Sequence, residues 1–346
     1  MIRYKKCMCT GAFIWAWLFS VDAQKPQFSQ YYASPLLIAP SFAGNSLGTR
    51  AFVNFRDQWA NMPGSFTTYS LALDNNFYSI NSGAGVVFLR DVAGKVRYGN
   101  TMAALLYSYR FNFNNEWRIR PGIAFSWTQH SIDFPSAIFP DQIWEMGISP
   151  ATIEKTVDPY SYFDAEVSAV FYNRRMWFGL DVSNLMRPVS SFSHLQSRIP
   201  MQWTQFGGCN FRLNRGLGSA SQILSVNYLA KIAQWSSATF YQFEVGANWI
   251  RSPLLLGVAW RGLPNFKSPY SSYDAVIITA GVAFGNFTVG YSYDFTVSSL
   301  GPATGGSHEV TLSFSFNEGN RNDRKSSIPC PGLVKSLMFG DKESYR

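Results

Sequence analysis

The chain has 346 residues and a formal net charge of +8, with 17% aromatic but only 14% charged residues. A soluble domain has about a quarter charged residues, so this composition is typical of a protein with much lipid-facing surface. The basic residues are dispersed, which argues against a nucleic-acid-binding protein, and the abundance of Tyr, Phe, Trp, Val, Thr, Ser and Gly favours an all-β chain.

Residues 1–23 have the pattern of a secretory signal peptide. A basic start is followed by an apolar core at residues 11–19 and by the small-x-small cleavage site Val21-Asp22-Ala23. We expect the mature chain to begin at Gln24. An uncleaved anchor helix is the alternative, but the apolar run is shorter than the ~20 residues that a membrane span needs.

Residues 24–48 are apolar but interrupted by prolines. Pro26, Pro35 and Pro40 prevent a long helix or strand. We expect this segment to lie in the lumen, or along the periplasmic rim, of the barrel that the following residues predict. A flexible leader between the signal peptide and the first strand is the alternative.

The remaining chain up to residue 316 contains segments with the alternation of apolar and polar residues that is typical of strands. In residues 117–128, Trp117, Phe125 and Trp127 alternate with Arg118 and Arg120. Because successive side chains of a strand point to opposite faces, such a segment has one apolar and one polar face. Fourteen segments qualify: 49–59, 67–76, 83–90, 100–111, 116–128, 161–172, 175–184, 201–213, 221–230, 239–250, 253–260, 272–284, 286–295 and 307–316.

The connections between these strands favour a membrane barrel over a soluble β-sandwich. With the N-terminus in the periplasm, outer connections such as 129–160, 185–200, 261–271 and 296–306 are long, whereas periplasmic ones such as 112–115, 173–174, 251–252 and 285 are short. We therefore predict an all-β fold, a transmembrane antiparallel β-barrel of about 14 strands at residues 49–316. Its apolar face contacts outer-membrane lipid and its polar face lines the lumen.

Charged residues of both signs fall on the predicted lumen face. Opposite charges there favour a network that fills the lumen, and the alternative is a wet pore whose charges select solutes. We expect Arg56 and Asp294 to be structural partners of the N-terminal segment. The full set is Arg56, Asp74, Arg110, Arg118, Arg120, Asp164, Glu166, Asp181, Arg212, Glu244 and Asp294.

The outer connection at residues 133–158 is unusually apolar. Exposed apolar patches mark sites of protein contact, so we predict that Phe134, Phe139, Ile143 and Trp144 contact an exported protein. A loop that folds over the barrel mouth as a lid is the alternative.

Residues 317–346 break the strand pattern and form a tail. Because an even number of strands returns the chain to the side on which it started, we expect this tail in the periplasm. A polar run precedes the stiff stretch around Cys330 and Pro331. The tail either reaches a periplasmic partner or is disordered. In the mature chain only Cys209 and Cys330 remain, and two distant cysteines make no disulfide framework and no metal-ligand spacing. We expect both to stay as thiols, and one long-range disulfide between them is the alternative.

Catalytic and cofactor motifs are missing from the sequence. The three histidines, His130, His194 and His308, accompany no G-x-S-x-G elbow, and no H-E-x-x-H, C-x-x-C or P-loop pattern occurs. We expect no enzyme activity, no cofactor and no metal site.

The mature chain resembles the PorP/SprF family of type IX secretion system outer-membrane proteins. The resemblance includes Gly179 to Leu185 and Tyr293-Asp294, and the chain departs from the family in having Ser34 before Pro35 and 15 residues after the Cys330-Pro331 pair. The N-terminal signature comprises Gln27, Phe28, Gln30, Tyr31, Pro35, Pro40 and Gly44, and the barrel motifs include Arg56, Gln58, Trp59, Asp294, His308 and Glu309.

The resemblance implies a non-enzymatic outer-membrane barrel that serves protein export or the surface attachment of exported adhesins and enzymes, including gliding machinery. The implied partners are a secreted cargo protein with a C-terminal sorting domain and periplasmic secretion or motility components. A passive diffusion channel or solute transporter is the alternative function.

Overall fold

A computed structural model of the chain describes residues 27–46, 48–114, 116–133, 143–144, 147–148, 158–189, 198–213, 222–234, 239–262, 273–298 and 301–316. One antiparallel sheet of fifteen strands dominates it, and one of these, Phe111–Asn112, is only two residues long. The other fourteen are β1 (Thr49–Gln58), β2 (Phe66–Phe77), β3 (Ser82–Ala93), β4 (Tyr98–Tyr109), β5 (Arg118–Ser131), β6 (Tyr160–Tyr172), β7 (Met176–Ser183), β8 (Gln202–Arg212), β9 (Gln222–Gln234), β10 (Thr239–Arg251), β11 (Leu254–Gly262), β12 (Tyr273–Phe284), β13 (Phe287–Thr296) and β14 (Ser307–Phe316).

The sheet closes on itself. Strand β1 pairs with β14, with Thr49 opposite Phe316 and Gln58 opposite Ser307. All other strands pair with their neighbours in sequence, so the fold is an up-and-down barrel without a free edge. The predicted all-β antiparallel barrel of about fourteen strands is confirmed.

The barrel is polar inside and apolar outside, the reverse of a soluble protein. In β2, Thr68, Ser70 and Asp74 point inward and are buried, whereas Leu71 and Leu73 point outward and are exposed. Elsewhere on the outer face, Leu105 is 66% exposed and Phe163 is 70% exposed. Such a continuous apolar outer surface is suited to contact with lipid.

Two features of the connections differ from the prediction. Strand β11 extends to Gly262, so the predicted end at residue 260 is wrong, and Arg261 belongs to the strand rather than to an outer loop. The predicted rule of long outer and short periplasmic connections also holds only in part. The connections 94–97 and 235–238, which follow β3 and β9 at the predicted outer end, are short. The connection 213–221, which follows β8 at the predicted periplasmic end, is long.

Residues 27–46 enter the barrel lumen and form two short 3-10 turns, Pro35–Leu37 and Pro40–Phe42. A two-stranded hairpin, Ile143–Trp144 with Gly147–Ile148, lies outside the barrel sheet. Among the described residues, no helix is long and apolar enough to cross a membrane.

Candidate functional site

The described part of the N-terminal segment, residues 27–46, fills much of the lumen, and we call it the plug. Proline opens each of its 3-10 turns, where a fixed φ suits the first position. Its side chains Phe28, Leu36 and Phe42 are buried against the barrel wall, and the rings of Phe42 and Phe206 lie 5.2 Å apart between centroids. The plug therefore packs as a core element rather than as a loose leader.

Ser29 lies at the centre of a buried ionic network. Its hydroxyl donates a hydrogen bond of 2.6 Å to Asp294 Oδ2. The Oγ of Ser29 in turn accepts hydrogen bonds of 2.8 Å from Arg56 Nη1 and from Arg261 Nη2. One serine of the plug is thus held by three charged groups of the barrel wall.

The wall groups also pair with one another. Arg56 Nη2 lies 2.9 Å from Asp294 Oδ2, and Arg261 Nη1 lies 3.1 Å from the same oxygen. Arg261 Nε also pairs with Glu244 Oε2 at 2.8 Å. Removing a charge from water is costly, and these pairs offset that cost only because their geometry is close. We call Ser29, Arg56, Glu244, Arg261, Asp294 and Glu309 the lumen network.

Glu309 binds the backbone of the plug. Its carboxylate accepts hydrogen bonds from the N–H of Ser29 at 2.7 Å and of Gln30 at 2.9 Å, and Arg56 Nη1 lies 3.2 Å away. These backbone donors have no strand partner, so the carboxylate satisfies polar groups that would otherwise be buried and unpaired. Glu309 therefore positions the first turn of the plug.

The lumen network contains one carboxylate more than it has guanidinium groups. Two arginines face three carboxylates, and the third carboxylate, Glu244, accepts a hydrogen bond of 3.4 Å from Gln27 Nε2. Lys231 Nζ lies 3.4 Å from Gln27 Oε1 and brings a further positive charge to this side of the lumen.

A second anchor holds the other end of the plug. The N–H of Gly44 donates to Asp74 Oδ2 at 2.7 Å, and Arg50 binds both oxygens of that carboxylate, at 3.0 and 2.8 Å. Between the two anchors, Ser41 N–H donates to Ser168 Oγ at 2.8 Å and Ser108 Oγ donates to Ala43 O at 2.7 Å. Plug and wall are joined along most of the segment.

Glycines of the wall let the plug backbone approach closely. A Cβ on Gly122 would lie 2.3 Å from Ser41 N, and one on Gly83 would lie 2.2 Å from Ala43 O. Both distances are far below a van der Waals contact, so only glycine fits opposite this part of the plug.

Tyr31 connects the plug to the opposite wall. Its hydroxyl donates to Asn227 Oδ1 at 2.6 Å. Burial, with the nearby Glu244 carboxylate, raises the pKa of Tyr31 well above its usual value, so the phenol stays protonated and keeps donating.

The sequence-predicted residues fall into separate groups in the structure. Arg56, Asp294 and Glu309 come together around Ser29. Gln58, Trp59 and His308 lie within three residues of Arg56 or Glu309 on the same β1–β14 pair, but none of them forms a described hydrogen bond with the lumen network. The N–H of Trp59 donates to Gly306 O at 2.7 Å, and His308 Nδ1 lies 2.8 Å from the Tyr291 hydroxyl. Gln27, Phe28, Gln30, Tyr31, Pro35, Pro40 and Gly44 all belong to the plug.

Three important residues were not predicted as site residues: Ser29, Arg50 and Arg261. Extending the alternation of β11 by one residue beyond Trp260 would have placed Arg261 on the lumen face, beside Leu255 and Ala259. Ser29 stands within the N-terminal signature, between Phe28 and Gln30, but its residue type alone does not indicate contact with charged groups.

Several predicted residues belong to parts of the chain that the structure does not describe. Phe134, Phe139, Cys330 and Pro331 lie outside the described residues, as does the predicted signal peptide. Ile143 and Trp144 form the short hairpin strand, whose side chains are not described.

A cavity of about 110 Å³ remains between the plug and the wall. Leu36, Val87 and Met102 form its apolar side, and Asp181, Gln202 and Lys231 are among the polar groups on its other side. Within the described ranges, no cluster of His, Cys, Asp and Glu has the arrangement of a metal site. The geometry is that of a barrel closed by its own N-terminal segment.

Comparisons with known proteins give one extensive match. The sequence model described as "Type IX secretion system membrane protein PorP/SprF" matches residues 20–314. No curated protein sequence matches the chain.

Solved barrel structures resemble the chain only distantly. A Pseudomonas aeruginosa FadL homologue is 11% identical, with 78% of this chain and 90% of that chain covered and a TM-score of 0.42. The TodX deltaS2S3 mutant monoaromatic hydrocarbon channel is 9% identical, with 80% and 92% covered and a TM-score of 0.41. KdgM porin is 9% identical, with 77% and 99% covered and a TM-score of 0.35. Values this low support no inference about this chain.

Proposed function

We propose a function from one premise: the chain belongs to the PorP/SprF family of type IX secretion system membrane proteins. It is an outer-membrane β-barrel of that system. In our proposal it is a non-enzymatic anchor that works through protein contacts at its two ends. The outer end holds an exported adhesin or enzyme by its C-terminal sorting domain, and the periplasmic end contacts secretion or gliding components.

The closed lumen is the observation that carries this proposal. Residues 27–46 lie inside the barrel, and Ser29, at one end of the plug, is bound by Arg56, Arg261 and Asp294. A diffusion channel needs a continuous wet path, and this lumen is occupied by packed side chains such as Leu36 and Phe42. The ends of the barrel are then the surfaces available for function.

Displacing the plug from the lumen requires a large free energy. Withdrawing it would leave Glu309, Asp294 and Arg261 without their hydrogen bonds to Ser29, and a hydrogen bond to a charged group contributes about 1.5–3 kcal/mol. It would also expose Phe42, which is 3% exposed in the closed barrel. A barrel built in this way favours a permanent scaffold over a gated pore.

Deletion of residues 134–157, between β5 and β6, tests the outer contact. The deletion should release exported cargo from intact cells, while the barrel still resists unfolding in SDS before heating. Deletion of residues 264–271, in another outer connection, is the matched control and should leave cargo attached. Cargo that stays attached after the 134–157 deletion would overturn the assignment of this loop.

Planar-bilayer conductance separates the anchor from the channel alternative. The purified full chain should give no stable open pore, whereas removal of residues 27–46 should produce one, because the barrel wall is closed without them. A stable conductance of the intact chain would favour the channel and contradict the proposal.

A further inference from the structure

One end of the barrel lumen is strongly positive. It is the end at which the connections that follow β2, β4, β6, β8, β10 and β12 lie, and we call these the even-numbered connections. They include 110–117, 173–175 and 213–221. We call the following residues the arginine mouth: Arg110, Arg118, Arg120, Arg174, Arg175 and Arg212.

These arginines occupy one sector of the wall. Arg118 and Arg120 begin β5 and lie opposite Tyr172 and Val170 of β6. Arg110 follows β4, the other neighbour of β5, and its side chain is 7% exposed. Arg118 is 8% exposed and Arg120 is 1% exposed, so all three point towards the lumen rather than the lipid.

Three further arginines extend the same sector to the rim. Arg174 and Arg175 form the turn between β6 and β7, and Arg212 ends β8 on its lumen-facing side. All three are exposed. Strands β4 to β8 therefore carry positive charge at this end of the lumen. The carboxylates on the same strands lie further into the barrel, with Glu166 opposite Ala124 and Asp181 opposite Ser168.

The described contacts of Arg110 and Arg118 are neutral. Arg110 Nη2 donates to Asn81 Oδ1 at 2.7 Å, and Arg118 Nη1 donates to the carbonyls of Asn114 at 2.6 Å and Trp117 at 3.1 Å. None of the described residues forms a salt bridge with either arginine. The Nε of Arg118 is buried and has no hydrogen-bond partner among those residues.

The contrast with the lumen network is informative. There, three carboxylates surround two arginines. In the described parts of the even-numbered connections, Glu116 is the single acidic residue, and it is exposed. Like charges held together repel one another, so an anionic ligand would relieve this repulsion as well as form its own contacts.

The chain's own tail is a poor ligand for this site. Residues 317–346 contain six basic and four acidic residues, a net charge of +2. The counts comprise Arg321, Arg324, Lys325, Lys335, Lys342 and Arg346 against Glu318, Asp323, Asp341 and Glu343. A basic tail gains little from a basic mouth.

Lipid headgroups are also placed unfavourably. They surround the outer circumference of a barrel, whereas Arg110, Arg118 and Arg120 face its lumen. A flexible polypeptide can enter a lumen mouth from the aqueous side, and guanidinium groups bind carboxylates in a planar, two-point geometry.

We propose that the arginine mouth binds a Glu- and Asp-rich segment of a protein partner on the periplasmic side. This inference rests on the proposed function, which places that end of the barrel in the periplasm. Periplasmic contact would then be made by the barrel mouth itself, and the tail would not be needed for it.

The test uses the full mature chain in nanodiscs of zwitterionic lipid and a fluorescent oligoglutamate peptide as probe. Wild-type protein should bind it saturably, with an affinity that falls as salt is added. The triple variant Arg174→Gln, Arg175→Gln, Arg212→Gln keeps the three buried arginines and should bind about tenfold more weakly. Arg97→Gln, Arg187→Gln, Arg198→Gln, three exposed arginines at the opposite end, is the control and should bind like wild type.

Three results would overturn the inference. The first is an absence of saturable oligoglutamate binding by wild type, and the second is equal weakening of that binding by both triple variants. The third is a loss of co-purified anionic phospholipid from the mouth variant with no change in peptide binding, which would identify lipid as the ligand. The cargo assay on intact cells tests the proposed function separately, because oligoglutamate binding does not depend on residues 134–157.

Discussion

Glu309→Gln should loosen the plug from the barrel wall. In the native structure the Glu309 carboxylate accepts the backbone N–H groups of Ser29 and Gln30, at 2.7 and 2.9 Å, and pairs with Arg56 at 3.2 Å. A glutamine amide keeps one acceptor oxygen but turns an NH₂ group towards the remaining donors. One buried donor then loses its partner, and the charge of the acceptor disappears.

The size of the effect follows from the lost contacts. A hydrogen bond to a charged group contributes about 1.5–3 kcal/mol, and a buried donor left unsatisfied costs about 1–3 kcal/mol. We therefore expect local opening of residues 27–33 to become easier by about 3 kcal/mol. That value corresponds to roughly a hundredfold faster hydrogen exchange when exchange is limited by the opening equilibrium.

Hydrogen–deuterium exchange with mass spectrometry measures this directly in the purified barrel. Peptides from residues 27–33 should exchange faster in the variant, while peptides from β9 and β10 should not change. Glu116→Gln, the same substitution at an exposed position, is the matched control. Wild-type exchange of residues 27–33 in Glu309→Gln would refute the idea that this carboxylate holds the plug.

Three further predictions concern stability, measured as urea unfolding in lipid vesicles. Gly122→Ala should destabilise the barrel by about 1–3 kcal/mol, because the new Cβ would lie 2.3 Å from Ser41 N. The control Gly281→Ala, whose Cβ would have its nearest neighbour 3.3 Å away, should destabilise the barrel less, and equal effects would argue against tight plug contact. Arg261→Met removes the cation that pairs with Glu244 and Asp294 and should lower the free energy of unfolding by about 3–5 kcal/mol. The control Arg97→Met, at a side chain 65% exposed, should lower it by under about 1 kcal/mol, and an equally small loss for Arg261→Met would contradict the proposed balance of charges. Phe42→Ala should lower the free energy of unfolding by about 3–5 kcal/mol, because it leaves a cavity beside Phe206. Phe163→Leu on the outer face should change it by about 0.5 kcal/mol or less, and a larger loss for Phe163→Leu than for Phe42→Ala would show that the plug is not part of the core.

The barrel itself could be predicted from the sequence because its signal is local. Alternation with a period of two assigns each side chain to a face without any knowledge of its neighbours, as for Arg118 and Arg120 against Ile119 and Phe125 in β5. All fourteen predicted segments overlap barrel strands. Errors fell at strand ends, as for Arg261 and for β9, which runs four residues beyond its predicted end to Gln234, and in the lengths of some connections.

The site depended on the tertiary structure because its contacts join distant parts of the chain. Ser29 and Glu309 are 280 residues apart, and Ser29 and Arg261 are 232 apart. The alternation of apolar and polar residues predicts that Arg56, Glu244 and Asp294 face the lumen. Their positions along the barrel axis and around the barrel follow only from strand register and closure of the sheet. The sequence by itself determined a polar-lined barrel with an apolar, proline-rich segment before it. Only closure of the sheet decided which charges meet, because it brings β1, β10, β11, β13 and β14 around one serine of the plug.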